Sequence, residues 1–369
     1  MSVTIVIATY NRCPFPPGAP DRNPLSWTLR TLLESGADDI LVVDDGSTDH
    51  TADVLSRFDR VRSLTLAGHR GVAAARNAGW WAARRDAVMI LDDDCLVSAD
   101  FVPRCAAEFE ALQRHDPAVG ALTLPYYNRS RTPRAAVPAG EFGSLDIHSG
   151  YFTSNFDCVP DAGILTPIPT TMVSGVCLFD RRALRDAGGY LELPGWKTSY
   201  CDHLELSAQL LDTRWTVRHL PDPALAVTHL KYGAAGDYAG MSATDQRWQP
   251  PGVGRTLADL VRESARPRAD TGGRTEPDAA LEEMIALFFS CYARRSPTGA
   301  KAWAERTYRD YVLGGRSYTA AYRPTESEAD RRARWHRAIA AGVAHAISLS
   351  AEPVHPQIRR QAAVDGAAI

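Results

Sequence analysis

The sequence predicts an α/β fold in which a mostly parallel β-sheet is flanked by helices. In the first half of the chain, short apolar segments rich in β-branched residues alternate with longer amphipathic segments, as strands alternate with covering helices. Polar or acidic residues directly follow three of these predicted strands, which is where ligands bind in open α/β sheets. The 369 residues are 45% hydrophobic and 23% charged, a composition typical of a globular protein with a sizeable core.

The elements of the first half follow from the apolar pattern and from the residues that begin and end helices. We predict strands at residues 3–9, 40–43, 63–66, 87–91 and 119–124, and helices at residues 25–35, 48–58, 72–85 and 100–115. Asn23 and Pro24 are expected to cap and open the helix at 25–35, and Gly36 is expected to end it. The Pro-rich loop 13–24 either shapes the site or is a neutral insertion.

The second half carries weaker signals. Residues 125–169 are rich in Pro, Gly, Ser and Tyr and show no clear periodicity. Regular pattern returns with a strand at 172–179, helices at 181–187 and 202–211, and strands at 216–220 and just before His229. Amphipathic segments at 282–294, 300–312 and 326–348 predict helices. We therefore expect one domain over residues 1–240 and a mainly helical extension over residues 241–369.

Composition excludes several classes of protein. The formal net charge of -3 gives no global attraction to nucleic acid, so any phosphate binding must be local. No apolar run approaches the roughly 20 residues that span a bilayer, and no signal peptide is recognisable. The seven cysteines contain no CxxC pair, which argues against a disulfide framework and a cysteine zinc site. These features favour a cytoplasmic location.

Three predicted strands end in clusters of hydroxyl, amide or carboxylate side chains. These groups are Thr9-Tyr10-Asn11, Asp44-Asp45 and Asp92-Asp93-Asp94. In a parallel sheet they meet at one edge, where gathered carboxylates are costly unless cations or hydrogen-bond donors compensate them. A divalent metal bridging to a diphosphate is the simplest solution, and carboxylate oxygens suit Mg²⁺ or Mn²⁺. Turns and helix caps would explain any one group, but their repetition after apolar strands favours a ligand site.

Four segments together resemble the family 2 glycosyltransferases with the GT-A fold. They read TIVIATYNR, LVVDDGSTD, GVAAARNAG and VMILDDDC and fall in this order between residues 4 and 95, with weaker features as far as Gly233. The resemblance implies a GT-A-like nucleotide-diphospho-sugar transferase domain over residues 1–240. Its nucleotide-sugar half would cover about residues 1–124, and its acceptor half about residues 125–240.

The resemblance also implies the residues of the donor site. Thr9, Tyr10 and Asn11 would line the nucleotide pocket, and Asp45 would bind the base imide, as is usual for uracil. Arg76 would approach the donor, although an arginine on a helix surface is also common.

The implied metal site centres on the Asp-rich segment. Asp92 and Asp94 would be the outer members of a DxD motif around Asp93, with Asp94 the foremost ligand of Mn²⁺ or Mg²⁺ and Asp92 a further ligand. Asp92 and Asp93 would also contact the donor. His229 would be a third ligand, although a lone histidine is more often a packed or surface residue. Lys231 is placed to close over a phosphate.

An inverting transfer needs a general base to take the proton of the acceptor hydroxyl. The family supplies it from a Glu-Asp pair at the start of a helix, and here the corresponding stretch is Tyr200-Cys201-Asp202-His203-Leu204-Glu205. The usual Glu is absent. Asp202 is the preferred base and Glu205 the alternate, while an acidic residue favoured by the helix dipole is the structural alternative.

Acceptor contacts are expected from Gly189, Tyr190 and Trp196, because glycine admits close approach and aromatic faces stack on sugar rings. Trp196 fits a core or an interface equally well. The C-terminal helices carry aromatic residues that would pack on the catalytic domain or form a homodimer interface, with peripheral membrane contact as a third alternative.

The sequence therefore predicts a metal-dependent, inverting glycosyltransferase that moves a sugar from a UDP-sugar to a soluble acceptor. The acceptor would be a natural product, a carrier-bound intermediate or a glycan. A nucleotidyltransferase is one alternative, but it would normally carry a Gly-rich basic loop after the first strand, where this chain has ATYNRCPFPPG. A non-catalytic nucleotide-sugar-binding protein is the other, because the Glu beside Asp202 is missing.

Overall fold

A computed structural model describes most of the first 230 residues of the chain. The described residues are 1–18, 22–128, 136–137, 142–146, 151–153, 156, 158–160, 163–190, 192 and 202–230. The predicted helices of the extension over residues 241–369 lie outside the described residues, and so do Lys231 and Trp196. Within the described part, no helix combines the length and the apolarity needed to cross a bilayer.

The strands and helices are numbered in chain order. The strands are β1 Val3–Thr9, β2 Ile40–Asp44, β3 Val61–Thr65, β4 Ala87–Asp92, β5 Cys95–Leu96, β6 Val119–Thr123, β7 Tyr126–Asn128, β8 Ala136–Val137, β9 Ser144–Asp146, β10 Tyr151–Thr153, β11 Val159–Pro160, β12 Ile168–Thr170, β13 Cys177–Asp180, β14 Thr216–His219 and β15 Val227–His229. The helices are α1 Pro24–Glu34, α2 Thr51–Leu55, α3 Val72–Trp81, α4 Phe101–His115, α5 Arg181–Ala187 and α6 Asp202–Leu211, with a 3₁₀ helix at Pro223–Leu225.

A mixed sheet forms the centre of the described chain. Its eight strands lie in the order β12-β14-β6-β13-β4-β1-β2-β3. Strands β1 to β4, β6 and β14 share one direction, while β13 runs antiparallel to β4 and β6, and β12 runs antiparallel to β14. The sheet is thus mostly parallel, as predicted. Strands β12 and β13 run against the other six, and the sequence pattern did not indicate their direction.

Strand β1 is buried on both faces, which explains its continuous apolar sequence. Ile5 and Ile7 pack into one core cluster, which includes Leu29 of α1 and Phe109 of α4. Val6, on the opposite face, belongs to a second cluster formed with residues of α3, α5 and α6. The sheet is therefore covered by helices on both sides.

Three predicted elements are shorter than expected, for reasons that involve other segments. The predicted helix at 48–58 begins only at Thr51, because the backbone N–H of Thr48 donates to Asn11 Oδ1 at 2.8 Å. The predicted helix at 72–85 ends at Trp81, after which the chain turns toward β4 and the Arg85 N–H donates to the Thr4 hydroxyl at 3.1 Å. The predicted strand at 172–179 is regular only in β13.

Asn23 precedes α1 as predicted, but its side chain does not cap the helix. The side-chain amide instead exchanges two hydrogen bonds with the backbone of Phe15, at 3.2 Å and 3.0 Å. Helix α1 begins with Pro24, which needs no N–H partner there. Asn23 thus anchors the Pro-rich loop to the start of the helix, and Gly36 follows the helix with a φ of 83° as predicted.

The tight contact between α3 and the sheet predicts a stability effect. A Cβ on Gly79 would overlap Val6 Cγ1 and lie 3.1 Å from Val43 Cγ2. We expect Gly79→Ala to lower the free energy of unfolding by about 1–3 kcal/mol in urea titrations, because overpacking outweighs the gain in helix propensity. Gly68→Ala is the matched control, since a Cβ there meets no atom within 4 Å. Equal effects of the two substitutions would contradict the predicted clash.

Candidate functional site

The three polar groups predicted to meet do lie side by side. Strand β1 is hydrogen-bonded to β2 on one side and to β4 on the other, and all three run parallel. In the register, Thr9 is opposite Asp44 and Ala8 is opposite Asp92. The carboxyl ends of these strands therefore bring the Asp-rich segment and the loops after β1 and β2 to one edge of the sheet.

The middle residue of the Asp-rich segment points into the protein. Asp93 accepts a hydrogen bond from the Thr9 hydroxyl at 2.7 Å and from Arg12 Nε at 2.8 Å. Burial raises the pKa of Asp93, an effect that Arg12 opposes and the charge of Asp94 reinforces. Thr9 and Asp93, both predicted to contact the donor, are thus hydrogen-bonded to each other in the interior of the protein.

Asp94 is completely buried and lies between a guanidinium and an imidazole. Its Oδ2 is 3.1 Å from a terminal nitrogen of Arg12, and its Oδ1 is 3.1 Å from His229 Nε2. His229 ends strand β15, which pairs with β5 and β7 in a small three-stranded sheet. The N–H of Leu230 donates to the Asp94 carbonyl oxygen at 2.8 Å. The backbone itself therefore holds His229 against Asp94.

Asp92 is engaged by two side chains. Its Oδ1 accepts from Arg76 at 2.7 Å, and its Oδ2 accepts a short hydrogen bond from the Tyr126 hydroxyl. Burial raises the pKa of Asp92, but the charges of Arg76 and His229 and the Tyr126 hydrogen bond outweigh it and leave the pKa below its ordinary value. Burial and the Asp92 charge raise the pKa of Tyr126, so this hydroxyl keeps its proton and donates.

The donor set fits a hard divalent cation at Asp94 and His229. Neighbouring ligands of an octahedral ion with bonds of about 2.1 Å lie roughly 3 Å apart, close to the 3.1 Å between Asp94 Oδ1 and His229 Nε2. The described side chains form no group of three or more His, Cys, Asp or Glu residues placed to hold a metal ion. Asp92, the other expected ligand, instead binds Arg76 and Tyr126. The metal roles of all three residues stay predictions.

Asp45 fixes the loop that follows β3. It accepts the backbone N–H groups of Arg70 and Gly71, each at 2.7 Å, and its Oδ2 is 2.7 Å from His69 Nδ1. The His69 ring stacks on Tyr10, with ring centroids 3.7 Å apart and planes inclined by 4°. Asp45, which is predicted to bind the base, and Tyr10, which is predicted to line the nucleotide pocket, thus share His69 as a neighbour.

Asn11 joins the loops after β1 and β2. It is the non-glycine residue with positive φ in the described chain, at 49°. Its backbone N–H donates to the Ser47 hydroxyl at 2.9 Å, and its Oδ1 accepts from the Thr48 N–H. The side chain predicted to line the nucleotide pocket is therefore a structural link between two loops that border it.

The turn predicted to contact the acceptor lies against α3. Gly189 has a φ of 74°, and a Cβ there would lie 2.7 Å from Asn77 Oδ1. Asn77 exchanges two hydrogen bonds with the Tyr190 backbone, at 2.8 Å and 2.9 Å, and donates to Glu192 at 2.9 Å. Tyr190 is only 2% exposed, and the guanidinium carbon of Arg76 lies 5.4 Å from its ring centroid. Tyr190 thus packs inside the site, and its acceptor role stays a prediction.

Helix α6 begins at Asp202 as predicted, although the side chains of Asp202 and Glu205 lie outside the description. The charges of Arg76 and Asp92 affect the pKa of the next residue, His203. Burial and the charge of Arg76 lower the pKa of His203 to about 4, while Asp92 opposes this shift. The first turn of α6 therefore lies within electrostatic range of the Asp-rich segment.

Comparison with known proteins identifies the family. The sequence model of the family described as Glycosyl transferase family 2 matches residues 4–185, a range that contains the Asp-rich segment and the loops after β1 and β2 but ends before Tyr190, α6 and His229. Residues 4–185 belong to glycosyl transferase family 2. The resemblance noted from the four motifs is thereby confirmed.

The curated relatives of this chain include polymer synthases. It is 28% identical over 191 residues to the poly-beta-1,6-N-acetyl-D-glucosamine synthase of Staphylococcus aureus (strain COL), and 27% identical over 191 residues to that of Staphylococcus epidermidis. Each match covers 50% of this chain and 41% of the relative. The chain thus matches less than half the length of these relatives.

A solved structure supports the predicted GT-A-like fold. The structure of Staphylococcus aureus TarS 1-349 in complex with UDP-GlcNAc superposes with a TM-score of 0.51 at 13% sequence identity. The match covers 97% of this chain and 83% of TarS 1-349. The fold class predicted from the sequence is confirmed at this level.

Four residues that contact the candidate site are not among those predicted from the sequence. They are Arg12, His69, Asn77 and Tyr126. Arg12 and Asn77 lie inside the motifs TYNR and RNAG, so their positions were available as a signal. His69 lies just before a recognised motif, and Tyr126 lies in the segment without periodicity, where no local signal indicates a contact.

Proposed function

We propose that this protein is a metal-dependent, inverting glycosyltransferase that moves a sugar from a UDP-sugar to a hydroxyl or other nucleophile of a soluble acceptor. One observation carries the proposal. Asp45 and Tyr10 lie at the ends of β2 and β1, beside Asp94, which follows β4 and contacts His229 at the end of β15. This edge offers a base-binding end and a diphosphate-binding end on adjacent parallel strands, which a nucleotide-sugar spans.

Each end has a distinct chemical task. We assign the nucleobase to the surface around Tyr10 and Asp45, and the diphosphate to the edge that carries Asp94 and His229. Held there, a divalent cation would offset the charge that develops on the leaving diphosphate. Arg76 is neutralised by Asp92 and faces Tyr190, so we assign it to shaping the wall beside the sugar.

The acceptor needs a base on the opposite side of the sugar from the diphosphate. We propose Asp202 at the start of α6, with Glu205 as the alternate. The effect of Arg76 and Asp92 on the pKa of His203 supports this assignment, because it indicates that the first turn of α6 lies near these two residues. A carboxylate there would take the proton of the acceptor hydroxyl as the hydroxyl attacks the anomeric carbon.

The relatives suggest which donor to test first. The matched curated proteins are synthases of an N-acetylglucosamine polymer, and the TarS structure contains UDP-GlcNAc. UDP-GlcNAc is therefore our first candidate donor.

The proposal also includes a soluble acceptor, a cytoplasmic location, a homodimer and the absence of nucleic-acid partners.

The first experiment is calorimetric titration of the protein with UDP, GDP and dTDP, each with Mn²⁺ and with EDTA. We expect UDP to bind best, and at least about tenfold more tightly with Mn²⁺, a difference of about 1.4 kcal/mol. Failure of every nucleotide to bind would overturn the proposal, even with the fold intact.

Turnover then separates the proposal from its two alternatives. A glycosyltransferase releases UDP from UDP-GlcNAc in the presence of acceptors or water. A nucleotidyltransferase would instead release pyrophosphate from UTP and a sugar phosphate. Metal-dependent UDP binding without either product would identify a non-catalytic nucleotide-sugar-binding protein.

A further inference from the structure

Arg12 contacts two members of the Asp-rich segment, and the metal-site assignment gave it no role. Its Nε lies 2.8 Å from Asp93 Oδ1, and its terminal nitrogen lies 3.1 Å from Asp94 Oδ2. We propose that Arg12 is a positioning residue that fixes the Asp94 carboxylate, so that Oδ1 is presented on the side of His229 for a divalent cation. This inference rests on the proposed function, because it presumes a cation at Asp94 and His229.

The backbone around Arg12 is held from both sides. Asn11 adopts its positive φ immediately before it and is bonded to the loop after β2 through Ser47 and Thr48. The N–H of Cys13, immediately after it, donates to Asp49 Oδ2 at 2.7 Å. These contacts hold the backbone on either side of Arg12 in place. The Arg12 side chain is only 14% exposed. Arg12 is thus preorganised where it meets Asp93 and Asp94.

The geometry limits how the Asp94 carboxylate can rotate. One oxygen faces the guanidinium and the other faces the imidazole, in a side chain with no solvent exposure. The planar guanidinium contacts Asp93 and Asp94 through two different nitrogens, which a lysine ammonium does not reproduce with the same geometry. Without the guanidinium, Asp94 Oδ2 loses this partner and the carboxylate can turn away from His229.

If Arg12 positions Asp94, its removal should weaken Mn²⁺ binding, whereas if only its charge matters, its removal should strengthen Mn²⁺ binding. These opposite effects make the proposal testable. Removing a positive charge close to a cation site strengthens cation binding if charge alone matters. Removing a residue that orients a ligand weakens binding, typically by 10- to 100-fold. We therefore expect Arg12→Gln to weaken Mn²⁺ binding by about tenfold.

Mn²⁺ affinity is measured by electron paramagnetic resonance of the full-length protein, without nucleotide. Arg12→Lys keeps the charge but not the two-nitrogen geometry, and we expect it also to weaken Mn²⁺ binding, by less than Arg12→Gln. Arg104→Gln is the matched control and should leave Mn²⁺ affinity unchanged, because Arg104 pairs with Asp222 at the surface. UDP affinity in EDTA and the melting temperature in EDTA show whether each variant is folded.

The outcomes separate the two proposals. Weaker Mn²⁺ binding by folded Arg12→Gln and Arg12→Lys, with UDP affinity in EDTA unchanged, supports the positioning role. Unchanged or tighter Mn²⁺ binding in either folded variant overturns it and leaves the proposed function standing. If Arg12→Gln does not fold, Arg12→Lys alone decides between these results. A wild-type protein that binds UDP but no Mn²⁺ overturns both the metal site and the role of Arg12.

Discussion

Asp94→Asn is expected to abolish the Mn²⁺-dependent part of UDP binding while leaving the protein folded. The substitution keeps the size of the side chain but removes the charged oxygen that faces His229 at 3.1 Å. Because loss of a residue that merely orients a metal ligand costs 10- to 100-fold, loss of the ligand itself should cost at least about 100-fold. Calorimetric titration with UDP, in Mn²⁺ and in EDTA, measures this effect.

Asp93→Asn is the matched control for Asp94→Asn. Asp93 is also buried, but it binds Thr9 and Arg12 and does not face His229. We expect it to reduce Mn²⁺-dependent binding by less than about tenfold, since no proposed ligand is removed. His229→Gln should resemble Asp94→Asn, and the double variant should be little worse than either, because both residues would serve one ion. Equal losses from Asp93→Asn and Asp94→Asn would place the ion elsewhere.

The elements whose bounds were predicted most accurately are those whose sequence signals lie within the element or next to its ends. Helix α5 has the predicted bounds because the Asp180 side chain caps it, accepting from the Arg182 N–H, and Gly188 follows it with a φ of 89°. Strand β1 has the predicted bounds because its apolar run is buried on both faces. Local chemistry decides both cases, so reading along the chain is sufficient.

Elements that depend on distant neighbours were not predicted. The short strands between Tyr126 and Thr170 are too brief to show a period, and two of them, β7 and β12, pair with β15 and β14 far along the chain. Strand β13 was expected, but its antiparallel direction between β4 and β6 depends on how the chain crosses the sheet. Strand direction is a property of topology, which periodicity does not encode.

The protein itself supplies much of the positive charge that the Asp-rich segment needs. Gathered carboxylates do require positive partners, but the protein itself provides two of them, in Arg12 and Arg76. Arg12 lies 81 positions before Asp93, and Arg76 lies 16 positions before Asp92. Only the folded sheet brings these pairs together. A metal therefore remains a proposal supported by the spacing of Asp94 and His229, and is not required by charge alone.

The ion pair between Arg76 and Asp92 predicts a large effect on stability. Arg76 is buried, and its contact with Asp92 Oδ1 is 2.7 Å. We expect Arg76→Met to lower the free energy of unfolding by about 3 kcal/mol at neutral pH, because it leaves a largely buried carboxylate without its cation. The estimate is at the lower end of the usual range because the Asp92 side chain is 24% exposed. Urea denaturation followed by circular dichroism measures the change.

Arg70→Met is the matched control, since Arg70 also pairs with a carboxylate, Glu192, but is 56% exposed. Loss of an exposed pair should cost less than about 1 kcal/mol. Adding Asp92→Asn to Arg76→Met should recover much of the loss, because the buried charge is then removed. If the two single arginine variants were equally stable, burial would not determine the strength of this pair.

The loss of unfolding free energy caused by Arg76→Met should also depend on pH. A carboxylate whose pKa is lowered by folding stabilises the protein above its unfolded value of about 3.9 and loses that contribution as the pH falls through the folded value. Folding lowers the pKa of Asp92, and Arg76 is a main cause besides His229 and Tyr126, while burial and Asp94 act in the opposite direction. Without Arg76 the pKa of Asp92 should rise. In the variant, Asp92 then becomes protonated at a pH where Asp92 of the wild type is still ionised, and the cost of the unpaired buried charge disappears. The stability difference between the two proteins should therefore narrow as the pH is lowered from 7 toward 4, and a difference that stays constant would contradict the role of the Asp92 charge.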